Sequence, residues 1–239
     1  MEVVRYADRP DLRERRREEL NTFPEFMNHN AMGWKYWGRL YDDFPAFQLA
    51  AVDRDAPLGE ELIGEVHALS LPVIGEQLPS GWDEAFERGM EGGGGNVVSL
   101  LAISVKPDAR GRGVPALLIE AVRNAAREAG HESVIAPVRP TLKDRYPLIP
   151  IERYVEWRRD DGSHFDPWIR AHERLGGVIV GPCRDSMLIQ APVAEWEQWT
   201  GMQFPEDGVY IVPGMLAPLE VFEGVGTHVE PNVWMRHPV

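Results

Sequence analysis

The sequence predicts a mixed fold of the α/β (α+β) class, and three observations support it. Segments rich in branched and apolar residues alternate with segments whose apolar residues recur at helical spacing, the pattern of a sheet covered by helices. The 239 residues are 44% hydrophobic and 26% charged, a balance that lets a large core form without covalent or metal staples. The single cysteine, Cys183, excludes an intramolecular disulfide and a multi-cysteine zinc site, and it fits a reducing, cytoplasmic setting.

Residues 3–6 read as a first short strand. Asp8, Pro10 and Asp11 then open a charged helix that runs to Leu20, with Asp11–Arg15 and Arg15–Glu19 spaced to pair along one face. Its basic residues, Arg13 and Arg15 to Arg17, are interleaved with Glu14, Glu18 and Glu19, so the face is solvated rather than shaped for nucleic acid. Trp34, Tyr36, Trp37 and Tyr41 mark a second helix that ends before Pro45. Residues 47–52 and 62–69 read as paired strands joined by a turn at 53–59. Residues 75–96, with four consecutive glycines at 92–95, read as a flexible connector. Val97–Val105 is a buried strand, residues 115–129 a helix stopped by Gly130, and Ser133–Val138 another strand.

Prolines and charges break the pattern over residues 139–165. Asp166 and Pro167 then supply an N-cap and a first-turn proline for a helix that stops at Gly176 and Gly177. Two short strands at 178–180 and 186–191, a helix at Val193–Thr200 and a last strand near 228–235 complete the chain, without internal repeats.

Thirty-eight acidic residues against 25 basic ones set a formal charge of -13. Such a surface repels phosphate backbones and anionic bilayers, so neither nucleic acid nor membrane is an expected partner. The longest nearly apolar stretch, Val97–Val105, is interrupted by Ser99 and Ser104 and is too short to span a bilayer. Residues 1–6 lack the apolar core of a secretory signal. The seven histidines do not fall at paired ligand spacing, so no metal is expected.

One segment departs from the acidic average. Between the strand ending at Val105 and the next helix lie Arg110, Gly111, Arg112 and Gly113. Glycines permit close backbone approach, free N–H groups at a helix start attract anions, and arginines add charge where a polyphosphate would sit. No Gly-Lys-Ser/Thr follows, which excludes a P-loop, and the third glycine of a dinucleotide fingerprint is absent.

This segment resembles the acyl-CoA loop of the GNAT superfamily of N-acyltransferases, of the form Arg/Gln-x-x-Gly-x-Gly/Ala, with Pro115 in the last place. A second resemblance runs over His172-Glu-Arg-Leu-Gly176-Gly177. There the family ends a helix in Tyr-Glu-Lys-x-Gly-Phe, so His172 takes the tyrosine's place, and Phe165 stands where an asparagine is usual. The resemblance implies a splayed mixed sheet, one domain over 1–239 with an insertion at about 139–165 and a C-terminal extension at about 191–239. Acetyl-CoA as acyl donor would lie between the fourth and fifth strands. Ile103, Ser104 and Val105 would stand beside the pantetheine arm, and the backbone from Arg110 through Gly111, Arg112, Gly113 and Val114 to Ala116 would hold the pyrophosphate.

The chemistry this implies is direct attack of an amine, from a small molecule or peptide, on the thioester in a ternary complex. The amine must lose a proton, an oxyanion needs N–H donors, and CoA leaves as a thiolate. His172 would protonate that thiolate or hold it by a hydrogen bond. The strand at 97–105 holds no acid, so Glu65 and His67, two apart and on one face of their strand, become the proton-relay candidates; His164 and Glu156 are weaker ones. Cys183, after Gly181 and Pro182, has no base beside it. The aromatics at 34–41, with Tyr154 and Trp157, fit either an acceptor pocket or core. A non-catalytic acyl-CoA sensor remains the alternative to an enzyme, and oligomeric state, a homodimer included, stays open.

Overall fold

Nine strands share one sheet in this computed structural model, with the order β1-β2-β3-β4-β5-β9-β8-β7 and β6 paired to β9. The structure describes residues 1–57 and 59–239, apart from the side chains of Arg17 and Glu18. Those two side chains of the expected charged face, and Leu58 of the expected 53–59 turn, lie outside the described residues.

The strands are β1 (Glu2–Arg5), β2 (Gln48–Val52), β3 (Leu62–Leu71), β4 (Val97–Val105), β5 (Ser133–Val138), β6 (Val178–Pro192), β7 (Gly208–Tyr210), β8 (Leu219–Phe222) and β9 (Val225–Pro238). The helices are α1 (Pro10–Glu19), α2 (Ala31–Tyr36), α3 (Leu40–Asp43), α4 (Trp82–Gly92), α5 (Val114–Glu128), α6 (Ile151–Tyr154), α7 (Pro167–Arg174) and α8 (Val193–Thr200). Every residue of β2 and β3 is buried, because helices cover both faces of the sheet. Val114 of α5 lies under Gly64 on one face. On the other, Arg16 of α1 reaches Glu65 and Gly89 of α4 rests on Leu69.

β4 runs parallel to β5 for only three register pairs, Val97↔Ser133, Val98↔Val134 and Ser99↔Ile135. Beyond them the two strands part. β5 is held on its other edge by β9, from Ser133↔Pro238 to Val138↔Val233. A register shift between His67 and Ala68 leaves Leu101 of β4 without an opposite residue on β3, a β-bulge at the point where the strands diverge.

Three expectations change. Residues 75–96 are not a flexible connector, since α4 fills half of them. Trp82, Ala85, Phe86, Gly89 and Met90 are all buried on one stripe, a helical periodicity that the glycine run hid. Gly95 belongs there because the backbone passes Leu71 so closely that a Cβ would lie 2.0 Å from its carbonyl carbon. The aromatic segment at 34–41 breaks into α2, a 3₁₀ turn at Trp37–Arg39 and α3. The two short strands expected at 178–180 and 186–191 are one, β6, and it pairs with β9, an interior strand of the sheet between β5 and β6.

Gly95→Val is expected to lower stability by about 2–4 kcal/mol through overpacking, measured by urea unfolding. Gly92→Ala, whose Cβ would meet Pro72 at 3.5 Å, serves as the neutral control.

Candidate active site

The divergence of β4 and β5 opens a cleft of about 710 Å³. Leu101, Ile103 and Val105 line one wall and Ala136 to Val138 the other. The loop after β4 contributes Arg110 and Pro115, α7 contributes Trp168 and His172, and Thr22 to Pro24 close the side toward α1. The bulge at Leu101 is braced from α4, since Trp82 Nε1 donates to the Leu101 carbonyl at 2.8 Å.

The loop after β4 has the anatomy of an anion cradle. Gly111 and Gly113 adopt φ of 78° and 79°, a left-handed conformation costly for other residues. Among the described residues, the N–H groups of Gly111, Gly113, Val114 and Ala116 have no acceptor within the protein. They sit at the positive end of the 15-residue α5. Pro115 adds no N–H but suits the first helical turn. The two arginines part company. Arg110 lines the cleft, whereas Arg112 pairs with Asp53 at 2.5 Å and holds that carboxyl below its usual range. Ile103 and Val105 reach the cleft as expected; Ser104 is buried beside Glu65 in the β3–β4 ladder. The free N–H groups, Arg110 and an adjoining elongated cleft fit a nucleotide-linked pyrophosphate with a long arm, which is the form of CoA.

His172 is set by a buried cap. The Asp166 carboxylate accepts from the Trp168 and Ile169 N–H groups at 2.9 and 3.3 Å. It also accepts from Leu142 N–H and Tyr154 OH, so the 139–165 segment is anchored on the same group that starts α7. One turn on, His172 is 1% exposed, with the Trp168 ring edge-on at 4.5 Å. Its Nδ1 lies 2.9 Å from Nε2 of His237, while its Nε2 has no protein partner. Burial and the neighbouring His237 push its pKa down to about 3, so the ring is neutral near pH 7. Burial takes His237 to about 4, with the nearby Arg123 charge assisting, and its Nδ1 has no partner among the described residues. Gly177 makes room for the pair, because a Cβ there would lie 2.6 Å from His237 Cε1. His237 escaped sequence reasoning because 65 residues separate the two rings.

Glu65 and His67 are brought together, but not into the cleft. Glu65 takes a bidentate ion pair from Arg16, both contacts 2.6 Å, and a hydrogen bond from Tyr6 at 2.7 Å. Although burial raises its pKa, His67 and Arg16 hold it at about 2. His67 is fully buried among the rings of Tyr6, Trp37 and Tyr41, and burial outweighs Glu65 to push its pKa down. Gln48 Nε2 donates to the Phe44 and Ala68 carbonyls. Its oxygen therefore faces His67 Nδ1 at 2.9 Å, which fixes the proton on that nitrogen. The relay that their spacing suggested is thus enclosed, one strand away from the cleft.

His164 is buried against the Val155 carbonyl, and Tyr154 is core. The Cys183 thiol is buried and pushed up to about 12. No group of three His, Cys, Asp or Glu able to hold a metal occurs among the described residues, and no helix among them is long and apolar enough to cross a membrane.

No known family profile matches the chain. It is 30% identical over 248 residues to the arginine N-acetyltransferase avaD of Aspergillus versicolor, covering 91% of this chain and 85% of that protein. Among solved structures it is similar in fold to the loading GNATL domain of CurA from Lyngbya majuscula (17% identity, TM-score 0.54, 85% of this chain and 82% of that one). It is also similar to the GphF GNAT-like decarboxylase in complex with isobutyryl-CoA (20% identity, TM-score 0.51, 84% and 82%). A splayed mixed sheet with an acyl-CoA cleft defines an acyltransferase fold, and the chain belongs to the GNAT superfamily of N-acetyltransferases. It is an enzyme that moves an acetyl group from acetyl-CoA to an amine, which sets the sensor alternative aside.

Gly113→Glu, with its left-handed backbone and new negative charge, is expected to abolish CoA binding in calorimetric titration; unchanged affinity means that the pyrophosphate lies elsewhere. The histidine pair makes a second prediction. Both folded pKa values lie below the unfolded value of about 6.5, so folding stability is complete above that pH and is lost as pH falls toward 4 and 3. The melting temperature should therefore drop between pH 7 and 5, and less steeply in His172→Gln. An equal slope in that variant counts against a neutral buried His172.

Proposed function

We propose that the enzyme acetylates the primary amine of a small, amino-acid-like acceptor by direct attack in a ternary complex. The observation that carries this is the continuity of one cleft from Arg110 and Pro115 of the loop after β4, past the Leu101 bulge and His172, to Thr22 and Pro24. The relative avaD supports arginine as the first acceptor to assay, since that protein's name specifies arginine.

The ionisable side chains among the described cleft-lining residues are Arg110, Arg139 and His172, with no carboxylate. His172 is therefore the group able to exchange a proton at the reacting atoms. When His172 Nδ1–H donates to His237 Nε2, His172 Nε2 is left as a buried lone pair without a partner among the described residues. In this reading that nitrogen takes the proton released by the attacking amine and returns it to the departing sulfur. A buried imidazolium is unfavourable here, which helps the proton move on. Backbone N–H groups at the β4 bulge supply hydrogen bonds to the carbonyl oxygen as its negative charge grows. Glu65 and His67 take a positioning role, tying β3 to α1 beneath β4. The single buried cysteine supports a cytoplasmic setting, and the interior position of β9 supports one domain over residues 1–239.

His172→Ala should lower kcat by about 10²–10⁴-fold while the Kd for CoA stays within about threefold. Equal turnover would return His172 to a packing role. Release of CoA thiol across an amine panel checks the acceptor class, and a panel in which no small amine stimulates release overturns that class.

A further inference from the structure

A buried charge network stands at the acceptor side of the cleft, and no step above uses it. Arg139 follows β5 directly and lines the cleft. Its Nε donates to Glu230 Oε1 and its Nη2 donates to the Gly214 carbonyl at 2.5 Å. Glu230 is fully buried, and its second oxygen lies 2.7 Å from Nε2 of His228, also fully buried. The His228 ring meets Phe26 edge-on. Two of the three guanidinium nitrogens are thus clamped by groups on the 201–239 segment. The third, Nη1, has no protein acceptor and is not among the buried unsatisfied atoms, so it faces open space.

Burying an ion pair rarely stabilises a fold over apolar packing, and this one holds a guanidinium rigid at the edge of a cleft that has no lining carboxylate. Gly214, which accepts from Arg139, rests on Pro24, so Arg139 shares its side of the cleft with Thr22 to Pro24 rather than with the anion loop. Arg139 lies immediately after the β5 wall and Leu101 on the β4 wall of the same cleft, so an amine placed at the bulge can direct an adjoining carboxylate at the guanidinium.

We propose that Arg139, braced by Glu230 and His228, binds the carboxylate of the acceptor, so that the enzyme selects α-amino acids over amines that lack a carboxylate. This rests on the small amino-acid-like acceptor proposed above and names the group by which that acceptor is recognised. Arg139 acts here as a specificity residue, and Glu230 and His228 position it.

The test uses matched amines on the full-length enzyme: arginine against agmatine and against argininamide, and phenylalanine against phenethylamine, with acetyl-CoA saturating. The wild type should prefer the carboxylate-bearing member of a turned-over pair by about 10–100-fold in kcat/KM. In the double variant Arg139→Met with Glu230→Gln, which avoids leaving a buried carboxylate unpaired, the preference should collapse to within about threefold. The effect should fall mainly on KM for the acceptor, with the Kd for CoA unchanged. Equal rates within the wild-type pairs overturn the inference without any variant, and so does a preference that survives in a double variant with a native melting profile. If neither member of any pair releases CoA, it is the small-amine acceptor reading that fails.

Discussion

The site depends on the failure of two parallel strands to stay paired. β4 and β5 share a ladder for three residues and then separate, and the cleft that results is the one proposed to hold donor and acceptor. Backbone groups of a strand that loses its neighbour must find other partners, and an extended ligand arm can supply them. The separation is held from outside. β9 takes the far edge of β5, the Trp82 indole secures the bulge on β4, and α7 is anchored by the Asp166 cap.

The interior is unusually polar around this opening, and its charges are handled in two ways. Two carboxylates are buried against a guanidinium, in Arg16–Glu65 and Arg139–Glu230, and Asp166 is buried against N–H and O–H donors. Histidines are buried neutral, as in His172 and His237, whose pKa values fall because burial disfavours the charged ring. The first arrangement fixes geometry, because each paired oxygen is committed to a donor. The second leaves a ring nitrogen, His172 Nε2, without a partner among the described residues. That contrast separates Glu65 and His67, held in an enclosed network one strand away, from His172, a residue of the cleft lining whose Nε2 has no partner among the described residues.

Much of the fold was legible. Strand and helix periodicity located the strands through β5, the helix after the anion loop and the capped helix carrying His172, because each has a buried stripe and a turn residue at its end. The anion loop was legible because glycine, arginine and a helix start stand consecutively. α4 was not, since Gly89 and the glycines at its end read as loop chemistry until Leu69 and Leu71 came to lie against Gly89 and Gly95. The separate duties of Arg110 and Arg112 were also hidden, because only the folded β2–β3 turn brings Asp53 to Arg112.

By itself, then, the sequence determined the mixed class, the family and the glycine–arginine loop at the start of α5, since all three rest on local spacing: branched residues at strand period, apolar residues at helical period, and glycines where the backbone must turn left-handed. Tertiary structure alone decided the acceptor side. His172 meets His237 across 65 residues, and Arg139 meets Glu230 across 91. No local pattern encodes such pairs, because they form only when β9, from the far end of the chain, enters the sheet beside β5.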